Sequence, residues 1–307
     1  MAYTDREDLN YLGDLYLIGQ YATPFLSMIG GLNGGKTYSH FKFPVAQPWS
    51  LQAASQDTQS EATSAAAGTP VTTTRAQDYN VAQIMKKDIA VTYAKQSTTG
   101  EFSGIQVLGN QPVADEMAFQ KSAQLRQLAI DVEYSFLQGT FTDSNLASTN
   151  QKTRGILAAT TTNSVDATTT ALSKDQIDEL LRDMVTTGSP LDNAVIFVNA
   201  FQKQQISNIY GYAPEDRNVG GVNIQQIETD FARLGIVYAP YMPTDELLIA
   251  EMTVCNPVFV PHEGGQIVSF TETAVDAAKK GGFFYTQIGL DYGPEEHHGK
   301  IINLTTS

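Results

Sequence analysis

Residues 50–77 read SLQAASQDTQSEATSAAAGTPVTTTRAQ, a run made almost wholly of Ala, Ser, Thr and Gln. On either side stand segments patterned like strands, FKFPV at 41–45 and YNVAQIM at 79–85. A run of that composition cannot bury enough apolar surface to offset the entropy of ordering it. An insertion of this length inside a compact domain is normally functional or disordered. Two roles fit it: a lid over a site in the same chain, or an arm that waits for a neighbour.

The remaining composition is that of a globular chain. With 307 residues and 42% hydrophobic content there is material for a sizeable core, in two domains or one elaborate one. The single cysteine, Cys255, excludes an intrachain disulfide framework, and no apolar run approaches the roughly 20 residues of a membrane span. The start, MAYTDREDLNYLG, is acidic and lacks the basic and apolar regions of a signal peptide, which implies synthesis in the cytoplasm. A formal charge of −14 without a Lys/Arg cluster argues against direct binding to nucleic acid.

Leu9, Leu12, Leu15 and Ile18 recur at near-helical spacing ahead of Pro24, so Asp8 to Ile29 reads as a partly helical arm. Glu101 to Gly109 reads as a loop. A strong helix signal then begins at Pro112 and runs to Leu137, with Met117, Leu128, Val132 and Phe136 on one stripe and Gly139 as the expected left-handed stop. Such a rod is about 40 Å long at 1.5 Å per residue. Thr153 to Thr170 reads as extended. Ser173-Lys-Asp-Gln makes a capping box for a second helix, whose buried face is Ile177, Leu180, Leu181 and Met184 and whose end is marked by Gly188 and Pro190. AVIFV after Asn193 reads as a buried strand, Asn199 as the cap of a helix through Tyr210, and GIVYAP and ELLIAEM as further strands. Past Pro257 the chain is β-rich. QIVSFTE, GFFYTQIGLDY and GKIINL are expected to pair into a sheet against the long helix.

Several motifs invite a chemical reading. Gly30-Gly-Leu-Asn-Gly-Gly-Lys36-Thr37 matches the phosphate-binding pattern G-x-x-x-x-G-K-[ST]. That loop needs a buried strand before it and a helix beginning at its lysine. Here Pro24 interrupts the preceding segment and YSHFKFPV alternates like a strand, so a glycine hinge is the better reading. His262-Glu-Gly-Gly-Gln266 lacks the second histidine of a zinc helix, and Glu295-Glu-His-His298 points adjacent side chains in different directions. Cys255 has no assignable base and reads as a small core residue. Asp245-Glu246 and Glu215-Asp216 are expected on the solvated turns of an acidic protein. No catalytic, cofactor or metal site emerges, and the chain reads as a non-enzyme.

The order of parts resembles a tailed-phage major capsid protein. More narrowly, it is similar to a siphovirus-like major capsid family with a Glu-x-x-Phe-Leu-x-Gly helix end followed by Thr-Arg-Gly-Ile. Here these are Glu133-Tyr-Ser-Phe136-Leu137-Gln-Gly139 and Thr153-Arg154-Gly155-Ile156. Val198-Asn-Ala-Phe-Gln-Lys203, Thr229-Asp-Phe231 with Met242-Pro243, and His298-Gly-Lys-Ile301 extend the match over about residues 130–302. Ala232 departs from it, standing where the family tends to have glycine.

The resemblance implies an α+β chain of the Hong Kong 97 capsid fold. Its parts would be an N-terminal arm over 1–35, an extended β-hairpin loop over 36–95 and a peripheral domain over 96–164 with its spine helix at 112–138. An α/β axial domain over 165–252 and a β-rich return to the peripheral domain over 253–307 would complete it. In that fold the extended loop lies over a neighbouring subunit, so Trp49, Leu51, Gln56, Asp57, Glu61 and Arg75 become candidate intersubunit contacts. The implied function is self-assembly into pentamers and hexamers of an icosahedral head that encloses DNA without reading its sequence. The expected partners are further copies of the chain, a portal, a scaffold and a decoration protein, and the expected location is the virion. An encapsulin-like nanocompartment and a nucleotide hydrolase are the alternatives. Some shells weld a loop lysine to the next subunit, but no lysine lies between Pro44 and Met85, so cross-linking from the loop tip is not expected.

Overall fold

The computed structural model describes residues 22–32, 34–51, 53–56, 58–68, 72–98, 115–144, 146–147, 149–210, 226–262, 265–274 and 277–306. The arm ahead of Ala22, the loop at 101–109, the helix start at Pro112, Asp57 and the Glu215-Asp216 pair lie outside the described residues. In chain order the elements begin with α1 (Pro24–Met28), β1 (Lys36–Thr37), β2 (Lys42–Ala46), α2 (Glu61–Ser64), β3 (Asp78–Val81), β4 (Gln83–Thr92) and α3 (Tyr93–Thr98). There follow α4 (Glu116–Gln138), α5 (Ile156–Ala159), β5 (Ser164–Asp166), α6 (Lys174–Thr187), β6 (Ala194–Val198), α7 (Ala200–Tyr210), β7 (Gln226–Glu228) and β8 (Arg233–Tyr238). The chain closes with β9 (Leu247–Glu251), β10 (Asn256–Phe259), β11 (Val268–Glu272), β12 (Lys279–Asp291) and β13 (Gly299–Ile302).

Two sheets carry the body. In one, the 13-residue β12 pairs along one edge with β4 and along the other with β11 and then β10, to which β1 adds in parallel. The other has six strands in the order β5-β13-β9-β6-β8-β7. The apolar run AVIFV is continuous because β6 is covered on both faces. Val195 and Phe197 point into one core with Phe25, Phe136, Phe259 and Tyr292, whereas Ile196 and Val198 point into a second with Ile177, Leu180 and Ile249. β9 divides its residues in the same way, so the six-stranded sheet is the wall shared by the two cores.

The helix α4 buries the expected stripe of Met117, Leu128, Val132 and Phe136. Its described start is capped by Asp115, whose side chain accepts from the Ala118 N–H at 3.0 Å. The capping box of α6 forms between Ser173 and Gln176, and Gly188 ends that helix at φ 97°.

Pro24 opens α1, where its missing N–H costs nothing at a first-turn position. Three expectations need correction. Gly139 is not left-handed but has φ −56° and ψ 130°. It is glycine for lack of space, since a Cβ there would lie 2.2 Å from the Ser135 carbonyl oxygen and 2.8 Å from that of Thr153. The stretch from Thr153 to Thr170 is not uniformly extended but includes α5 as well as β5. The terminal strand β13 does not join the sheet against α4. It pairs with β9 and β5 in the six-stranded sheet, where Ile301 fills the second core.

Candidate intersubunit surface

The quoted stretch leaves the body at a two-stranded hairpin, in which β2 and β3 pair antiparallel from Lys42↔Val81 to Ala46↔Asp78. One further bridge, Trp49↔Arg75, carries the pairing outward. Beyond it every described residue through Gln77 is exposed. α2 supplies the tip's only described helical turn, with a Ser60–Thr63 capping box holding it together locally. The outstanding segment is narrower than the expected 36–95, because β1 and β4 are built into the body sheet.

The base of the hairpin is fixed by polar groups. The Arg154 guanidinium donates to the Tyr292 hydroxyl at 2.9 Å and the Asp78 carboxylate at 3.3 Å, and the Tyr292 hydroxyl donates to the same carboxylate at 2.7 Å. Burial, reinforced by Asp78, pushes the Tyr292 phenol up, so it stays a donor. Arg154 also lies over the Phe141 ring at 4.3 Å, Phe141 meets Tyr79 edge to face, and Lys42 bonds Asp143 at 2.5 Å while lying over Tyr79. Beneath them Asn80, fully buried, donates to the carbonyls of Leu290 and Arg154 and accepts from the Arg154 N–H. The loop therefore has a rigid base and an uncovered tip.

The quoted motifs act as fasteners around this base. Glu133, fully buried on α4, accepts from the N–H groups of Phe25 at 3.0 Å and Leu26 at 2.6 Å and so caps α1 from a distant part of the chain. Desolvation pushes its carboxyl up to about 7. His298, also fully buried, accepts the Glu251 N–H at Nδ1 and donates from Nε2 to the Tyr292 carbonyl, so one ring ties the end of β9 to the residue that follows β12. Burial lowers it to about 4. Gly299 leaves room for Met184 and Leu180, and Lys300 donates to the Leu157 carbonyl. Asn199 caps α7 at Gln202, whose own amide donates to Thr244 and Thr305. Ala232 is not at positive φ, and its turn closes on Thr229, so the departure from glycine is accommodated.

Of the candidate contacts, the structure brings Trp49 and Arg75 opposite each other, leaves Leu51 and Gln56 exposed, and places exposed Glu61 in the first turn of α2. Asp57 lies outside the described residues. The base residues Lys42, Asp78, Tyr79 and Asp143 went unread, although charged and aromatic residues at the strand ends beside a polar run were the available signal.

The other motifs resolve into structural roles. The glycine loop is preceded by α1 and followed by β1, the reverse of a phosphate-binding loop. Lys36 is bonded to the buried Asp291 at 2.6 Å, and Gly35 at φ 137° passes so close to Pro257 that a Cβ would lie 2.3 Å from its oxygen. Cys255 is buried, and its thiol is pushed up by burial, with Asp291 and Glu251 adding to the effect. His262 bonds Ser269 at 2.6 Å, and the Glu295 carboxylate is taken by Thr161 and Thr162. No group of residues that could hold a metal ion occurs among the described residues, and no described helix is long and apolar enough to cross a membrane.

Solved structures with this architecture are viral heads and related shells. The cyanophage A-1(L) capsid matches with a TM-score of 0.65 at 12% identity, covering 99% of this chain and 98% of that one. The capsid of a native GTA particle gives 0.64 at 11%, covering 97% and 95%, and the SrpI encapsulin of Synechococcus elongatus PCC 7942 gives 0.61 at 10%, covering 100% and 98%. The chain therefore has the Hong Kong 97 capsid fold. A comparison with curated protein sequences finds no match. The family described as SU10 major capsid protein matches residues 2–305, and the chain belongs to that family. It is a phage major capsid protein.

Proposed function

We propose that the chain assembles into pentamers and hexamers of an icosahedral tailed-phage head that encloses double-stranded DNA, with the extended loop of each copy seated on a neighbour. The carrying observation is the contrast between a polar base and a tip that is exposed at every described residue from Trp49 to Gln77. Backbone groups and the large side chains of Trp49 and Leu51 gain from being covered, and in a shell another copy supplies the cover. The role is structural and not catalytic. Assembly takes place in the host cytoplasm and the product resides in the virion, with a portal, a scaffold and a decoration protein as partners. The net charge of −14 suits a container in which DNA must move without sticking.

Electron microscopy of the expressed chain, beside a variant with residues 50–77 replaced by a short turn, tests this reading. The full chain is expected to give closed shells or capsomer rings, and the variant a folded monomer. A full chain that stays monomeric under all assembly conditions would overturn it. The likeness to an encapsulin supports a second reading, a shell around protein cargo; nuclease-resistant DNA in particles purified from infected cells would exclude it.

A further inference from the structure

We infer that Trp49 and Leu51 of one copy seat in the cleft between β4 and α4 of a neighbouring copy. This rests on the shell reading above and names the surface that receives the loop. The cleft holds about 420 Å³ and is lined by Ile84–Lys87 on one side and by Asp131 and Tyr134 on the other. Of its three large apolar side chains Met85 packs on the core, and the other two are uncovered in the single chain, Ile84 at 46% exposure and Tyr134 at 50%. On the loop, Trp49 is 61% and Leu51 75% exposed. Two pairs of solvent-facing apolar groups, one on a protruding tip and one in a concave cleft, each gain from being covered by the other.

A chain cannot satisfy both from within. Trp49 lies opposite Arg75, and the backbone from Arg75 through β3 to Ile84 runs away from the tip. Nine residues of extended chain span about 30 Å at 3.3 Å per residue. The tip therefore points away from its own cleft, and the occupant has to come from a second copy. Charge agrees with that occupant. At the rim of the cleft the half-exposed Lys86 is paired with Asp88, itself 71% exposed, and lies over the Phe283 ring, while the loop presents the exposed acid Glu61 on α2.

Trp49 is the single tryptophan of the chain, so its fluorescence reads this contact directly. On assembly its emission is expected to shift to the blue and its quenching by iodide to fall several-fold. Ile84→Asn and Tyr134→Ala, both at exposed positions, are expected to restore most of the quenching, with circular dichroism confirming that the variants fold. If either variant blocks assembly, the paired substitution Leu51→Cys with Tyr134→Cys decides. Oxidised particles should run as a ladder on an unreduced gel, and neither single substitution should do so, Cys255 being buried. Shells in which Trp49 is equally protected with and without the cleft substitutions, or in which the cysteine pair gives no ladder, would overturn the cleft and leave the shell reading standing. Failure of the unmodified chain to assemble would instead remove the shell reading, and this inference with it.

Discussion

Gly155 stands so close to Gly139 that a Cβ on it would lie 2.5 Å from the Gly139 nitrogen and 2.9 Å from the Leu137 carbonyl oxygen. The two residues close the end of α4 onto the strap that carries Arg154, and the Gly155 N–H donates to the Gly139 carbonyl at 2.9 Å. Every nearby atom is backbone, so no rotamer change can relieve an added methyl. Gly155→Ala is expected to destabilise the subunit by about 1–3 kcal/mol, read as a fall in the denaturant midpoint at unchanged slope. An unchanged midpoint would show that the contact is looser than it stands here.

Glu133 and His298 give opposite pH dependences. The folded chain holds the Glu133 proton more tightly than the ordinary value of 4.5, up to about 7, so this group favours the fold at low pH and its contribution is lost as pH rises from 4.5 through 7. His298 is lowered from 6.5 to about 4, so its contribution is present above 6.5 and is lost as pH falls toward 4. Each is worth about 3 kcal/mol at the far side of its window. Between pH 4.5 and 6.5 the two slopes offset each other. In Glu133→Gln the histidine slope stands alone, and thermal stability relative to the parent should drop as pH falls through that window. A parent-to-variant difference that does not change with pH would contradict this.

Arg154→Lys keeps the charge but loses the planar group that reaches Asp78 and Tyr292 while lying over Phe141. The expected loss is about 1–3 kcal/mol at the loop base. Shell yield should fall further than global stability does, because the base sets the direction of the arm. Equal yields from both proteins, measured by sedimentation, would argue that the arm finds its seat without a fixed base.

Arg75 is the only basic residue between Phe43 and Met85. Brief trypsin treatment of free subunits is expected to cut after it, giving a 75-residue N-terminal fragment, while assembled particles resist at that bond. The same absence of lysine means that boiling particles in SDS should return a monomer band. A covalent high-mass ladder would show a cross-link from outside the loop tip.

The sequence was most informative where one residue pattern has one physical outcome. The stripe on α4, the Ser173 capping box, the doubly buried β6 and the uncovered polar tip all belong to that kind. It failed where the partner is remote in the chain. Nothing local says that Gly139 needs space for Gly155 rather than a left-handed turn, or that β13 pairs with β9 instead of lying against α4. Of the candidate contacts, Trp49, Leu51, Gln56, Glu61 and Arg75 were legible as exposed loop residues. Their base at Asp78, Arg154 and Tyr292 was not, since those three lie far apart in sequence and meet only in the fold. Ile84 and Tyr134 were hidden because an exposed apolar residue in a strand or helix reads as core until the packing is known.

Electron cryomicroscopy of assembled particles, at a resolution that traces residues 49–77, decides whether the arm is completed by a neighbour. The expected map shows that stretch lying on an adjacent subunit, with Trp49 covered. Closed shells in which residues 49–77 lie on their own subunit, or project into solvent, would contradict it.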